Sequence, residues 1–212
     1  FPSHDRYYKN TTKKDSICLH HTVSPNSKRH PNGVRGDIQH WKNSPQRVAT
    51  STIIDYDGTI YKLFDESYWA HHLGIKRQLL KKYGSTVTNT FLNKKTIGIE
   101  IDSLGPLTKV DDKYYSVYGH EIPEEDVYKL DTPFRGHKYF EKYTDEQIDA
   151  VIELIQHYGN THEIDICYRD DMWEVSEDAL SGVPGLWAHV SFRPDKSDVY
   201  PDHRLIEKLQ QL

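Results

Sequence analysis

Disulfides cannot be what holds this chain together, because its 212 residues contain only Cys18 and Cys167. Two cysteines make no disulfide framework, and both read as free thiols buried on strands. No apolar run is long enough to span a bilayer. Positive charge is not in surplus either: 27 Lys and Arg against 32 Asp and Glu give a net charge of -5. That argues against a nucleic-acid partner, since neutralising phosphates calls for a basic face. The chain has no internal repeat, no low-complexity linker, and no His-Glu-x-x-His stretch of the helical zinc-peptidase kind. It opens on Phe1 and not on Met, which points to a trimmed or processed piece, so no compartment is read from this end.

Aromatic residues are plentiful. The mean hydropathy is -0.78, yet 15 Tyr, 6 Phe and 4 Trp can fill a core and leave polar tips for a cleft. The length fits one domain. Residues 1–14 read as an irregular polar arm. Ser16 to Thr22 alternates as a buried strand, with Ile17, Leu19 and His21 on one side and Cys18, His20 and Thr22 on the other. A helix follows from about Val34 to Asn43, with Pro45 beyond it. Asp57-Gly58 between two strand-like runs predicts a hairpin. A short helix is expected over Arg77 to Tyr83, ended by Gly84, and a strand over Thr96 to Asp102. Lys109 to Tyr115 suggests another hairpin within a long acidic and aromatic stretch. Thr144-Asp145-Glu146-Gln147 opens a helix as a capping box, and Gly159 is expected to end it. Glu163 to Tyr168 resembles a strand, and Asp202 caps a last helix to about Leu209. The order of elements predicts an α/β fold, a mixed central sheet flanked by helices.

Three sites carry candidate chemistry. His20 projects from the strand face opposite Ile17 and Leu19, as either a metal ligand or a core histidine satisfied by hydrogen bonds. His21 points the other way, as a structural neighbour. His189 and Asp198 lie too far apart for one helix face and must meet through a loop; the charged run between them also reads as a solvated turn. Two imidazoles and a carboxylate are the donor set of a mononuclear catalytic zinc with one position open. Glu100, between Ile99 and Ile101, is either a partly buried general base with a raised pKa or the polar face of a half-exposed strand.

Taken in order, Ile17-Cys18-Leu19-His20-His21-Thr22, the Asp-Gly hairpin, Trp69 with His72-Leu73-Gly74, Ile97-Gly98-Ile99-Glu100, and His189 followed by Lys196-Ser197-Asp198 resemble one family. It is that of the zinc-dependent N-acetylmuramoyl-L-alanine amidases, whose superfamily includes phage amidase-lysozymes and peptidoglycan recognition proteins. The resemblance covers roughly residues 15–103 and 144–210. It implies one zinc ion held by His20, His189 and Asp198 on a mixed sheet. It implies that Glu100 activates water, that Lys196 steadies the developing oxyanion, and that His72 and Trp69 contact the glycopeptide. The bond cleaved would join N-acetylmuramic acid to L-alanine of the stem peptide.

Ala49-Thr50-Ser51 stands where the phage-lysozyme branch has a tyrosine, which favours the glutamate-dependent branch. Ala188 replaces the glycine that commonly precedes the second zinc histidine. On this reading residues 1–212 form a single catalytic domain, with 104–143 and 169–186 as insertions. The expected partner is peptidoglycan, acted on by a monomer that is secreted or released at lysis, as an endolysin or autolysin. The alternative is a non-catalytic peptidoglycan-binding module.

Overall fold

The computed structural model describes residues 6–44 and 46–212. Phe1 and Pro45, both used in reading the sequence, lie outside the described residues. The chain runs β1 (Ser16–His21), α1 (Gly33–Asn43), β2 (Thr52–Ile54), β3 (Ile60–Lys62), α2 (Arg77–Lys82), α3 (Asn89–Lys95) and β4 (Thr96–Ile101). Five strands follow: β5 (Pro106–Val110), β6 (Lys113–Ser116), β7 (Glu121–Ile122), β8 (Val127–Phe134) and β9 (His137–Glu141). The rest comprises α4 (Asp145–His162), α5 (Glu177–Ser181), β10 (Gly185–Ala188), the single turn α6 (His189–Phe192) and α7 (His203–Leu209).

These strands form two sheets. The first has the order β10-β1-β4-β2-β3. It is parallel except for the antiparallel edge strand β3. Every residue of β1, β2, β4 and β10 is buried, as expected of parallel strands covered on both faces. Ile17, Leu19, Ile99 and Ile101 pack with Val151 and Ile155 of α4 and with Leu205 of α7. Each such aliphatic side chain contributes roughly 1.5–3 kcal/mol when fully buried. The fold is the mixed α/β sheet flanked by helices that the sequence predicts.

The long stretch after β4 is a sheet of its own. Its order is β7-β6-β5-β9-β8, and every pairing is antiparallel. Leu104, Leu107, Tyr114 and Ile122 form a small core there. Leu130 and Phe140 join the main core instead.

The expected capping box is present: Thr144 accepts from the Gln147 backbone, and the Gln147 side chain accepts from the Thr144 N–H. Asp202 likewise caps α7. The Asp-Gly hairpin is closed by Gly58 N–H donating to the Asp55 carbonyl (3.0 Å), with Gly58 at φ +82°.

Four expectations need correction. Gly159 does not end α4, which continues to His162 before Glu163 takes a left-handed conformation. Gly159 is there for close approach, because a Cβ would come within 2.8 Å of Ile166. Glu163 to Tyr168 is not a strand; Ile164, Ile166 and Tyr168 pack on the main core without pairing to a sheet. The strand nearby is β10, whose start falls inside the segment expected to be an insertion. Cys18 is buried in β1, but Cys167 is exposed and lies outside any strand.

Candidate metal centre and active site

Sheet register brings the candidate residues together. β10 runs parallel to β1 with Ala188 beside Leu19, so the next residue, His189, comes level with His20. The chain then makes the turn α6 and loops back, with Val190 N–H donating to the Asp198 carbonyl (3.2 Å). On the other side of β1, Glu100 of β4 sits opposite His20. The three candidate ligands are buried, with His20 3 %, His189 4 % and Asp198 5 % exposed.

Their donor atoms converge. His20 Nδ1 is 3.0 Å from His189 Nδ1 and 3.3 Å from Asp198 Oδ2, and His189 Nδ1 is 2.8 Å from the same oxygen. His189 Nε2 lies 3.0 Å from the Leu73 carbonyl, which can only accept. In a neutral ring this places the proton on Nε2 and leaves Nδ1 a bare lone pair facing a carboxylate. Lone pairs so close to one another are stabilised by a cation between them. Tetrahedral zinc with bonds near 2.0–2.1 Å sets its ligands about 3.3 Å apart, and the observed triangle is slightly tighter. The residues present fit such an ion.

Charge supports the same set. Burial, then the neighbouring His189, pushes His20 down to about 4, so its ring is neutral and free to ligate. Burial alone would raise Asp198, but His189 and His20 outweigh it and hold the carboxyl well below the usual carboxylate range. A second donor group shares His20: Cys18, His20 and His72. Alternation put Cys18 on the His20 face, so the sequence carried that signal. Burial, with Asp198 and Glu100 nearby, pushes the Cys18 thiol well up. A thiol held protonated is the poorer ligand.

Glu100 is 8 % exposed, and its carboxyl is pushed well above the usual range by burial, then by Asp198 and Asp37, with Lys196 opposing. Lys196 is half-buried, and its charge also acts on His20. His21 faces away, its Nδ1 2.7 Å from the Tyr143 hydroxyl. His72 joins the centre through its Nδ1, 2.9 Å from His20 Nε2. Gly98 makes room for it, since a Cβ there would lie 3.1 Å from His72 Nδ1 and 2.7 Å from Thr50 Cγ2.

Trp69 sits differently. It is 6 % exposed, stacked on Tyr8 at 4.0 Å, with its indole N–H donating to Asn10 Oδ1 at 3.0 Å. The recess it lines together with His72 and Gly98 is about 10 Å³, space for no more than one water. The Leu73 carbonyl is the partner that reading residue types missed, because a main-chain acceptor carries no side-chain signature.

Comparison with known proteins bears on the fold and the family. Solved structures that resemble the chain include AmiD from E. coli in complex with anhydro-N-acetylmuramic acid-L-Ala-D-gamma-Glu-L-Lys. That pair is 16 % identical with a TM-score of 0.51, covering 95 % of this chain and 59 % of AmiD. PlyL is 12 % identical, TM-score 0.51, covering 99 % of this chain and 92 % of PlyL. AMPDH3 from Pseudomonas aeruginosa, in complex with anhydromuramic pentapeptide, is 16 % identical, TM-score 0.51, covering 98 % and 64 %. At these identities the likeness shows the fold. No curated protein sequence matches the chain. The family model described as N-acetylmuramoyl-L-alanine amidase matches residues 10–198, and on that match the chain belongs to the N-acetylmuramoyl-L-alanine amidase family.

Proposed function

We propose that the protein is a zinc-dependent amidase that hydrolyses the bond between N-acetylmuramic acid and L-alanine in peptidoglycan. The observation that carries this reading is the meeting of His20 Nδ1, His189 Nδ1 and Asp198 Oδ2 within 3.3 Å of one another, in register with a buried glutamate. His20, His189 and Asp198 would hold the ion. Such an ion, when bound, would supply Lewis acidity toward the scissile carbonyl and the attacking water.

The chain's own groups do the rest. Glu100, whose carboxyl is raised by burial, is a stronger base once ionised than an ordinary glutamate. It takes a proton from the attacking water and passes it to the departing alanine nitrogen. Lys196 brings a positive charge to the site, where it stabilises the oxyanion most as negative charge develops. His72 sets one wall through its contact with His20, and Trp69 backs that wall from beneath the N-terminal arm. Residues 1–212 act as one catalytic domain, with 104–143 and, up to the start of β10 at Gly185, the segment 169–186 as additions to the shared core. The ligands named for AmiD and AMPDH3 make muropeptides the substrate class to try first. The place of action is the bacterial wall, and the acting species a monomer. Among the described residues no helix is long and apolar enough to cross a membrane.

The test is release of free L-alanine N-termini from purified peptidoglycan by wild type and His189→Ala, with and without a chelator. The reading requires release that chelator and substitution both abolish and that added zinc restores to wild type. Zinc binding without release from any wall type would instead support the non-catalytic peptidoglycan-binding module.

A further inference from the structure

The outer nitrogens of both candidate histidine ligands end on one dipeptide. His20 Nε2 meets His72 Nδ1 at 2.9 Å, and His189 Nε2 meets the Leu73 carbonyl at 3.0 Å. His72 and Leu73 belong to the connection between β3 and α2, which among the described residues pairs with the rest of the chain only through the isolated bridges of Trp69 to Tyr8 and of His71 to Val48. The dipeptide itself is held from the side, by α3. Asn93 Oδ1 accepts the His72 N–H at 2.7 Å and the Leu73 N–H at 3.1 Å. One turn earlier on the helix, Asn89 Oδ1 accepts the Ile75 N–H at 2.9 Å.

The two asparagines brace each other. Asn93 Nδ2 donates to the Asn89 carbonyl at 2.7 Å and to its Oδ1 at 3.0 Å. Asn93 is 0 % exposed, so no water can substitute for its oxygen. Thr88 caps the helix by accepting from the Phe91 N–H, and α3 leads without a break into β4, the strand of Glu100.

We infer that Asn93 is a positioning residue for the metal centre, holding the His72-Leu73 dipeptide so that its imidazole and carbonyl orient His20 and His189. The inference rests on the metal reading given above and adds to it. Ligand histidines need a partner at the outer nitrogen to fix ring angle and tautomer, and losing such a partner lowers metal affinity by about 10- to 100-fold. Here one buried amide governs both partners at once. A rotation of the dipeptide would swing the Leu73 carbonyl away from His189 and the His72 ring away from His20 together. Asn93 touches neither substrate nor ion and acts only through that dipeptide.

Cobalt(II) added to the metal-free full chain is the probe, because its visible bands report ligand geometry and its affinity is measured against a chromophoric chelator. Two variants separate the roles of the side chain. Asn93→Leu removes the acceptor oxygen. Asn93→Asp keeps that oxygen, replaces the amide donors to Asn89 and places a carboxyl in the buried site. The expected result is cobalt binding weakened about 10- to 100-fold in Asn93→Leu, with an altered band envelope. Asn93→Asp should keep wild-type affinity and bands even though its metal-free Tm falls.

A folded Asn93→Leu with wild-type affinity and bands overturns the inference. So does weakening in both variants in proportion to their loss of Tm, which is what a purely structural asparagine would give. Should Asn93→Leu fail to fold, His72→Phe tests the next link, the outer partner of His20: weaker cobalt binding supports the inference, and unchanged binding overturns it. Wild-type protein that takes up no cobalt is a different result, because it removes the metal reading itself.

Discussion

The two sheets are built from similar amounts of chain but to opposite standards of enclosure. In the parallel-rich sheet β1 and β4 are buried at all six positions each. In the antiparallel sheet β5 ends in three exposed residues and β8 has a single buried one, and Val117 and Tyr118 near β6 stand 64 % and 54 % exposed. His20 and Glu100 lie on the first sheet and His189 directly after one of its strands, while Asp198 comes from the loop that folds back onto that strand end, its carbonyl accepting from the Val190 N–H. Holding lone pairs 3 Å apart requires surroundings that allow a side chain one position, which a strand covered on both faces provides. The second sheet reaches the centre only from outside. Arg135, in the turn between β8 and β9, donates to the carbonyls of Val190 and Pro194, both at 3.1 Å, and so grips the loop that joins His189 to Asp198.

That contrast predicts a graded set of effects. The largest belongs to Asp198→Ala, which leaves two imidazoles 3.0 Å apart with no anion between them. Cleavage of muropeptide should fall by about a thousandfold or more, about 4 kcal/mol in the barrier, with zinc content falling alongside in metal analysis. Glu100→Gln should cost about 10²- to 10⁴-fold in kcat while zinc content stays at the wild-type level, which separates base from ligand. From the second sheet, Arg135→Ala removes two hydrogen bonds from the ligand loop. About 1 kcal/mol of stability and a severalfold loss of kcat/KM are expected; a loss as large as that of Glu100→Gln would break the contrast.

Asp102, directly after β4, sharpens it through pH. Burial, then Asp37, raises its carboxyl from 3.8 to about 8. Because the folded pKa lies above the unfolded one, its contribution is fully present below the unfolded pKa of 3.8 and is lost as pH rises through about 8. Urea midpoints of wild type should therefore fall between pH 5 and pH 8.5 relative to Asp102→Asn. At the small end, Val117→Ser in the turn between β6 and β7 should change stability by less than about 0.5 kcal/mol and leave cleavage as it was.

Residue types and spacing made part of this legible. The period of two in Ser16 to Thr22 correctly separated His20 from His21, and the run Ile97 to Ile101 put Glu100 on a buried strand. Thr144 and Asp202 announced their helices because capping is local chemistry. Gly159 misled for a physical reason: a glycine at a close helix contact looks the same in sequence as one at a helix end. Ile164, Ile166 and Tyr168 alternate like a strand but meet no partner, and pairing is not encoded in one segment. β10 was hidden because four residues, Gly185-Leu186-Trp187-Ala188, are too short to show a period. The hold on the histidines was hidden as well, since it depends on a carbonyl and on an asparagine pair on α3.

β10 is the edge strand of the first sheet opposite β3, and it is followed at once by His189. His20 and His189 are 169 positions apart in the chain. A ribosome must therefore have delivered everything from His20 through Asp198 before the centre can be assembled, and closing so long a loop is slow compared with local folding. Uptake of a metal ion would thus mark the docking of that final strand, giving refolding studies a signal for completion that no helix content supplies. A chain cut between Asp102 and Gly185 would keep His20, His72 and Glu100 and yet have no centre to fill.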